Sequence, residues 1–209
     1  MQKPKFKEAI ANMTFKQKQE YIWEYYKLQI MAAVFLIFLA GFSIYEISQR
    51  KEDFLKIAVT GGMTTMENVT GLSEHLSDVL LTEEQKRDYR ILVEAIPYSA
   101  AEENPSFEYV QKLFVLISAG EIDVLVIDEP TFATLHGEGY FLNLNELEVD
   151  LATLETVDRT GEPFGILIHD FEIFQDIFPE QGWILSVVVN SDRSREVERL
   201  VEYLIANLH

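Results

Sequence analysis

A chain of 209 residues, 48% apolar and 25% charged, can build one domain with a sizeable core plus an accessory segment, and is neither a disordered chain nor a multi-span membrane protein. Its formal charge of -18 argues against nucleic acid as a partner. The absence of cysteine excludes disulfides, thiolate metal sites, a cysteine nucleophile and a lipid-modified cysteine.

The charge is unevenly spread. Before residue 28, six lysines (Lys3, Lys5, Lys7, Lys16, Lys18, Lys27) outweigh three glutamates, whereas from Glu46 onward 11 basic and 32 acidic residues leave a net of -21. Between them, residues 28–45, "LQIMAAVFLIFLAGFSIY", hold no charge in 18 positions. At about 1.5 Å per residue this run covers about 27 Å, close to the hydrocarbon thickness of a bilayer, and an extension through Ile47 completes it. Its apolar residues lie all round the helix rather than in one stripe, which disfavours a buried core helix. A long charged region precedes it and no small-x-small cleavage site follows before Glu46, which disfavours a removed signal peptide. "LAGF" carries Phe42 where a lipoprotein would need cysteine.

The expectation is an uncleaved signal anchor in a cell membrane: residues 1–27 cytoplasmic, 28–47 spanning, 48–53 a polar linker, and 54–209 outside. Lysine excess ahead of the span sets that orientation. Tyr21, Trp23, Tyr25 and Tyr26 crowd the inner boundary and Tyr45 marks the outer one. Thr14 with Gln17 three positions on forms a capping box, from which one helix can run unbroken into the membrane. The stretch "EYIWEYYK" is similar to the start of small single-span proteins of Gram-positive bacteria, a likeness that implies location and not activity.

Beyond the linker, strand-like and helix-like segments alternate. Residues 54–60 read as a strand ending in Gly61-Gly62, which permits a turn. "GLSEHLSDVLL" (71–81) reads as a helix, and "DYRILVEAIPY" (88–98) as a strand terminated by Pro97. In the next helix Asn104 can cap, Pro105 suits the first turn, and Phe107, Val110, Leu113, Phe114 and Ile117 recur at helical spacing before Gly120 stops it. Residues 124–127 are continuously apolar, the mark of a strand buried on both faces. Residues 131–136 predict a short helix closed by Gly137 and Gly139. "FGILIHD" and "WILSVVVN" predict two further buried strands. The last helix carries one stripe, Val197, Leu200, Val201, Leu204, Ile205 and Leu208, with Asp192 or Ser191 as its cap. This order predicts one three-layer α/β domain with a mostly parallel sheet.

The chemistry is sparse. "VLVIDE" resembles the metal-binding strand of a phosphate-cleaving ATPase, but that strand works beside a glycine-rich loop ending in Gly-Lys-Ser/Thr. No Gly-Lys dipeptide exists here and the loop after the first strand is "TGGMTT". No Gly-x-Ser-x-Gly elbow is present. His75, His136, His169 and His209 show no metal-ligand spacing, and no acidic run matches a calcium loop. If their strands were parallel neighbours, Asp128-Glu129 and His169-Asp170 could meet at one sheet edge, as in a surface hydrolase or metal-dependent enzyme. The plainer alternative is that these are turn residues capping helices. Phe164, Phe171, Phe174, Phe178 and Trp183 read as core and rim. No catalytic residue, metal ligand or cofactor is assigned.

One stretch carries a family resemblance. "QKLFVLISAGEIDVLVIDEPTFATLHGEGYFLNL" resembles bacterial extracellular solute-binding proteins. There a helix ending in Ala-Gly leads to an Asp-initiated strand, a short helix and a Gly-x-Phe-Leu-x-Leu turn. The corresponding residues here are Ala119-Gly120, 123–128, 132–136 and 139–144. "WILSVVVNSDRSREVERLVEYLIAN" is similar to the later strand-and-helix return of that family. The resemblance implies one lobe of such a protein, with most of a second reduced to residues 145–161. It implies a non-enzymatic extracellular domain that binds a small ligand or another envelope protein. Ligands of open α/β sheets meet the carboxyl ends of the strands, so the expected contacts are Thr60, Gly61, Gly62, Tyr98, Asp128, Glu129 and Asn190. A further alternative is a structural subunit that assembles with a membrane protein through its span.

Overall fold

The computed structural model describes residues 14–49, 51–61, 65–175, 177–178 and 182–208; of residues 18, 21, 22, 25 and 43–49 it describes the backbone and not the side chains. The chain divides into two units, residues 1–50 and 51–209.

The described residues of the first unit form one helix, α1 (Phe15–Gln49), behind Thr14. Gln17 Oε1 accepts the backbone N–H and the hydroxyl of Thr14, each at 3.0 Å, which is the back-reaching half of the expected capping box. Leu28, Met31, Val34, Phe35, Leu36, Ile37, Phe38, Leu39 and Phe42 are all exposed on it. Among the described residues no helix is long and apolar enough to cross a membrane. The described side chains run unbroken only over 26–42, and residues 43–47 of the expected span lie outside the described side chains.

In the second unit the chain runs β1 (Glu52–Thr60), α2 (Met66–Leu80), α3 (Gln85–Asp88), β2 (Tyr89–Ile96), α4 (Phe107–Ser118), β3 (Val124–Asp128) and α5 (Glu129–Gly137). A 3-10 turn at Leu144–Glu146 follows, then β4 (Thr156–Arg159), β5 (Glu162–Leu167), α6 (Glu172–Gln175), β6 (Trp183–Val187) and α7 (Ser194–Ala206). Among the described residues six strands form one sheet in the order β2-β1-β3-β6-β5-β4.

The architecture is mixed α/β, and the sheet is mixed, with β1, β2, β3 and β5 running one way and β6 and β4 the other. Parallel pairing is confined to β2-β1-β3, whereas β6 runs antiparallel to both β3 and β5, and β4 antiparallel to β5. Two local causes account for this. β4 and β5 are joined by Thr160-Gly161, with φ of 58° and 86°, the backbone of a tight hairpin turn. Among its described residues the link from β5 to β6 carries the four-residue α6, too short a helix to cover a sheet face in a parallel crossover.

Side-chain alternation divides the core between two faces. One face of the sheet (Leu55, Ile57, Val59, Val124, Val126, Leu185) packs under α2 and α7 through Leu72, Leu76, Leu200 and Leu204. The other (Ala58, Ile96, Leu125, Ile127, Ile184) packs under α4 and α5 through Leu113, Ile117, Phe132 and Leu135. The domain therefore has three layers, and β3 is buried on both faces as its continuous apolar run predicts.

Helix starts differ from the sequence reading in several places. Helix α2 begins at Met66, capped by Thr65 Oγ1, which accepts the N–H of Asn68 at 3.2 Å. It starts ahead of Gly71 because its buried stripe begins at Val69. Helix α4 begins at Phe107 behind Ser106, not at Asn104-Pro105. Helix α7 begins behind Arg193; Ser191 instead accepts the Arg193 N–H and donates its hydroxyl to Asp123. On the edge strand β2, the Ile91 carbonyl accepts from Ser73 Oγ at 2.5 Å and the Ile91 N–H donates to Ser77 Oγ at 3.3 Å. Two serines of α2 thus occupy a peptide that would otherwise invite a foreign strand.

The amino edge of the sheet is pinned by a buried charge. The Asp123 carboxylate, with no exposed surface, accepts the Lys56 N–H at 2.8 Å, the Ser191 hydroxyl at 2.7 Å and the Arg193 guanidinium at 3.2 and 3.4 Å. Its own backbone bonds Lys56 on β1 and Val188 just beyond β6. One residue therefore ties together β1, β3 and the loop that starts α7.

Candidate functional site at the carboxyl edge

Register places the carboxyl ends of β1, β2, β3 and β5 at one edge, with the amino end of β6 among them: Asp128 pairs with Trp183, and Leu167 with Ile184. Thr60, Gly61, Tyr98, Asp128 and Glu129 all come to this edge. Gly62 lies outside the described residues. Asn190 does not share the edge. Because β6 is antiparallel, its carboxyl end lies at the opposite edge, where Asn190 Nδ2 donates to the Ile117 carbonyl at 2.6 Å.

The edge is closely bonded. The Gly61 N–H donates to the Tyr98 carbonyl at 2.9 Å with φ of 107°, a conformation that suits glycine. A Cβ there would also stand 2.6 Å from the Trp183 ring. Asp128 caps α5, its Oδ1 accepting the Thr131 N–H at 2.8 Å, and its Oδ2 accepts the Ser99 hydroxyl. The buried Thr131 hydroxyl in turn accepts the Ala100 N–H at 3.0 Å. Both carboxylate oxygens of Asp128 thus join the β2–α4 loop to α5. Glu129 is exposed in the first turn of α5. Thr60 is fully buried and its hydroxyl has no hydrogen-bond partner.

The acid-base constellation of the enzyme alternative does not assemble through contacts. His169 Nε2 lies 3.5 Å from Glu155 and 3.4 Å from Asp170, and Asp128 bonds Ser99 and Thr131. Among the described residues no hydrogen bond or ion pair links Asp128 or Glu129 to His169 or Asp170. Ligand atoms of Glu155, His169 and Asp170 lie within 4.8 Å of one another, so this trio, with both carboxylates exposed, could hold a cation.

Burial raises the Tyr98 phenol above its ordinary 10.0, and the nearby Asp128 charge adds to the shift. The phenol is therefore neutral in the fold. Its contribution is fully present below pH 10, where the unfolded phenol ionises, and is lost as pH rises toward the higher folded value. Thermal melts between about pH 9 and pH 11 are expected to show an alkaline decline in the wild type that Tyr98→Phe reduces. Equal declines in both proteins would assign the effect elsewhere.

A concavity lies over this same end of the domain. Helix α2 starts just after the carboxyl end of β1, α6 follows the carboxyl end of β5, and α7 returns from the amino edge, so their ends converge. Between them lies a groove of about 520 Å³. Leu72, Phe171 and Leu204, all buried, form its floor, with the partly buried Ile173 and Ile177 beside them. Glu67, Asn68, His75, Glu172, Tyr203 and Asn207 form its rim. The His75 Nε2 and Tyr203 hydroxyl lie 3.4 Å apart across it. Of these residues the sequence places Leu72, His75, Tyr203, Leu204 and Asn207 in helical or return segments and Phe171 in the core and rim, and it names none of them as a ligand contact.

No family model matches the chain, and no curated protein matches it either. Among solved structures, an extracellular solute-binding protein family 1 from Alicyclobacillus acidocaldarius subsp. acidocaldarius DSM 446 is similar. The likeness is partial. Identity is 17%, the TM-score is 0.38, and the match covers 57% of this chain and 28% of that one. The chain thus spans less than a third of the protein it matches.

Proposed function

We propose that this chain is a membrane-anchored, outward-facing binding domain whose ligand is a small molecule and whose role is not catalytic. The groove between α2, α6 and α7 carries the reading. A concavity of about 520 Å³ with an apolar floor and a few convergent polar groups has the size and composition of a small-ligand site. Its position over the carboxyl ends of the strands fits the general rule for open α/β sheets. The carboxyl-edge residues Thr60, Gly61, Tyr98, Asp128 and Glu129 do not line the groove, and Tyr98 packs in the core on the other face of the sheet.

Anchoring through residues 28–47 is supported by the uncharged run, by the exposed aliphatic and aromatic side chains along α1, and by the lysines ahead of it. A helix apolar all round is stable only where something other than water surrounds it. The use of both Asp128 oxygens in bonding supports a binding role over acid-base chemistry.

A thermal-shift screen of the full chain in an uncharged maltoside detergent, against a library of small metabolites, tests the proposal. At least one compound is expected to raise the melting temperature, and Gly71→Leu is expected to abolish that shift. Gly71 lines the groove, and a Cβ on it meets nothing within 4 Å. A screen in which no compound stabilises the protein would contradict the reading.

A further inference from the structure

We infer that the groove takes an organic cation, a protonated amine or quaternary ammonium carried on an apolar body; this rests on the proposed binding role of the same groove. Three features converge on that class. Among the described lining residues Glu67 and Glu172 are the carboxylates, and no lysine or arginine joins them. The floor beneath is apolar, with Leu72, Phe171 and Leu204 buried there. Tyr203 and Phe171 bring aromatic rings to the same space, whose faces attract cations.

The wider field acts in the same direction. From Glu46 onward the chain carries a net of -21, and a cleft in a surface of one sign concentrates counter-ions. An anionic ligand would meet two carboxylates with no fixed cation at hand. A neutral apolar ligand would leave both glutamates unpaired beside it, partly desolvated and without compensation. A cation with an apolar body satisfies both halves of the lining: the rim carboxylates Glu67 and Glu172 meet the charge, and the body covers the floor.

The test uses three probes with the same alkyl body, hexyltrimethylammonium, hexanol and hexanoate, titrated by calorimetry into the full chain in an uncharged maltoside detergent. The cation is expected to bind at least about tenfold more tightly than either other probe, a difference of about 1.4 kcal/mol. Added salt is expected to weaken it. Glu67→Gln with Glu172→Gln is expected to remove most of the preference, by weakening the cation and by relieving hexanol of the unpaired carboxylates beside it. Gly71→Leu is expected to abolish binding of all three probes. Because it replaces a mid-helix glycine where its Cβ has open space, it should keep or raise the melting temperature, so lost binding cannot be ascribed to unfolding.

Hexanol or hexanoate binding as tightly as the cation would overturn the inference and leave the binding role standing. So would a basic peptide that binds where hexyltrimethylammonium does not, since the occupant would then be a protein segment. Cation binding unaffected by Gly71→Leu would also overturn it. Failure of every probe together with an empty library screen would remove the binding role as well.

Discussion

Asp123→Ala is expected to cost about 3–5 kcal/mol of stability, the loss typical when one partner is removed from a buried, hydrogen-bonded ion pair. The carboxylate collects the Lys56 N–H, the Ser191 hydroxyl and the Arg193 guanidinium at a point with no solvent access of its own. Its removal leaves a backbone donor on β1 and a hydroxyl in the β6–α7 loop without their acceptor. The Arg193 side chain, 25% exposed, can partly recover by turning to water. Asp123→Asn should cost less, because an amide oxygen can still accept two of these bonds. Urea unfolding of the full chain in detergent checks this, with Trp23 replaced by phenylalanine so that Trp183 is the reporter. A loss below about 1 kcal/mol for the alanine variant would show that the hub is not structural.

Gly165→Val is expected to destabilise by about 3 kcal/mol, toward the upper end of what overpacking a core costs. Gly165 lies on β5 beneath α5, and the limit is space. A Cβ there would overlap Ile184 Cγ2 and stand 3.1 Å from Ser186 Oγ and 3.2 Å from Phe132 Cε2. All three neighbours are fully or almost fully buried, so none can swing out to make room. Placing Gly165→Val in an Ile184→Ala background should recover part of the loss, since the two changes exchange volume at one contact. Additive losses in the double variant would mean that Gly165 matters for another reason.

Much of the fold was legible because several elements carry one unambiguous pattern. The uninterrupted apolar run of β3, the single stripe of α7 and the helical spacing from Phe107 to Ile117 each admit one reading. Strand β4 was not legible. "TVDR" contributes a single aliphatic residue at the sheet's edge, and its hairpin turn places threonine where asparagine or aspartate gives the usual signal. Strand direction was not legible either, because alternation reports which face a residue takes and not which way the chain runs. That gap is why the sequence groups Asn190 with strand ends that lie at the opposite edge of the sheet.

The candidate site was half legible for a similar reason. Strand-end residues can be named from sequence, and Thr60, Gly61, Tyr98, Asp128 and Glu129 do gather at one edge. Asp128 has two readings, ligand contact and helix cap; one of its oxygens caps α5 and the other accepts the Ser99 hydroxyl. The groove could not be foreseen. Glu67, Glu172 and Tyr203 come from three helices far apart in the chain, and only tertiary packing brings them round one floor.

An outward-facing domain on a membrane anchor is the proposal that sets where the groove would meet its ligand, and the chain's lack of cysteine makes it directly testable. Glu138→Cys introduces a thiol at an exposed position just beyond α5, and Lys16→Cys does so near the start of α1. Each variant is treated on intact cells with a membrane-impermeant maleimide, and membranes are then washed with alkaline carbonate. Both proteins are expected to stay with the membrane, with the thiol at position 138 labelled on intact cells and that at position 16 only after permeabilisation. Label at position 16 with none at 138, or a chain recovered in the soluble fraction, would contradict it.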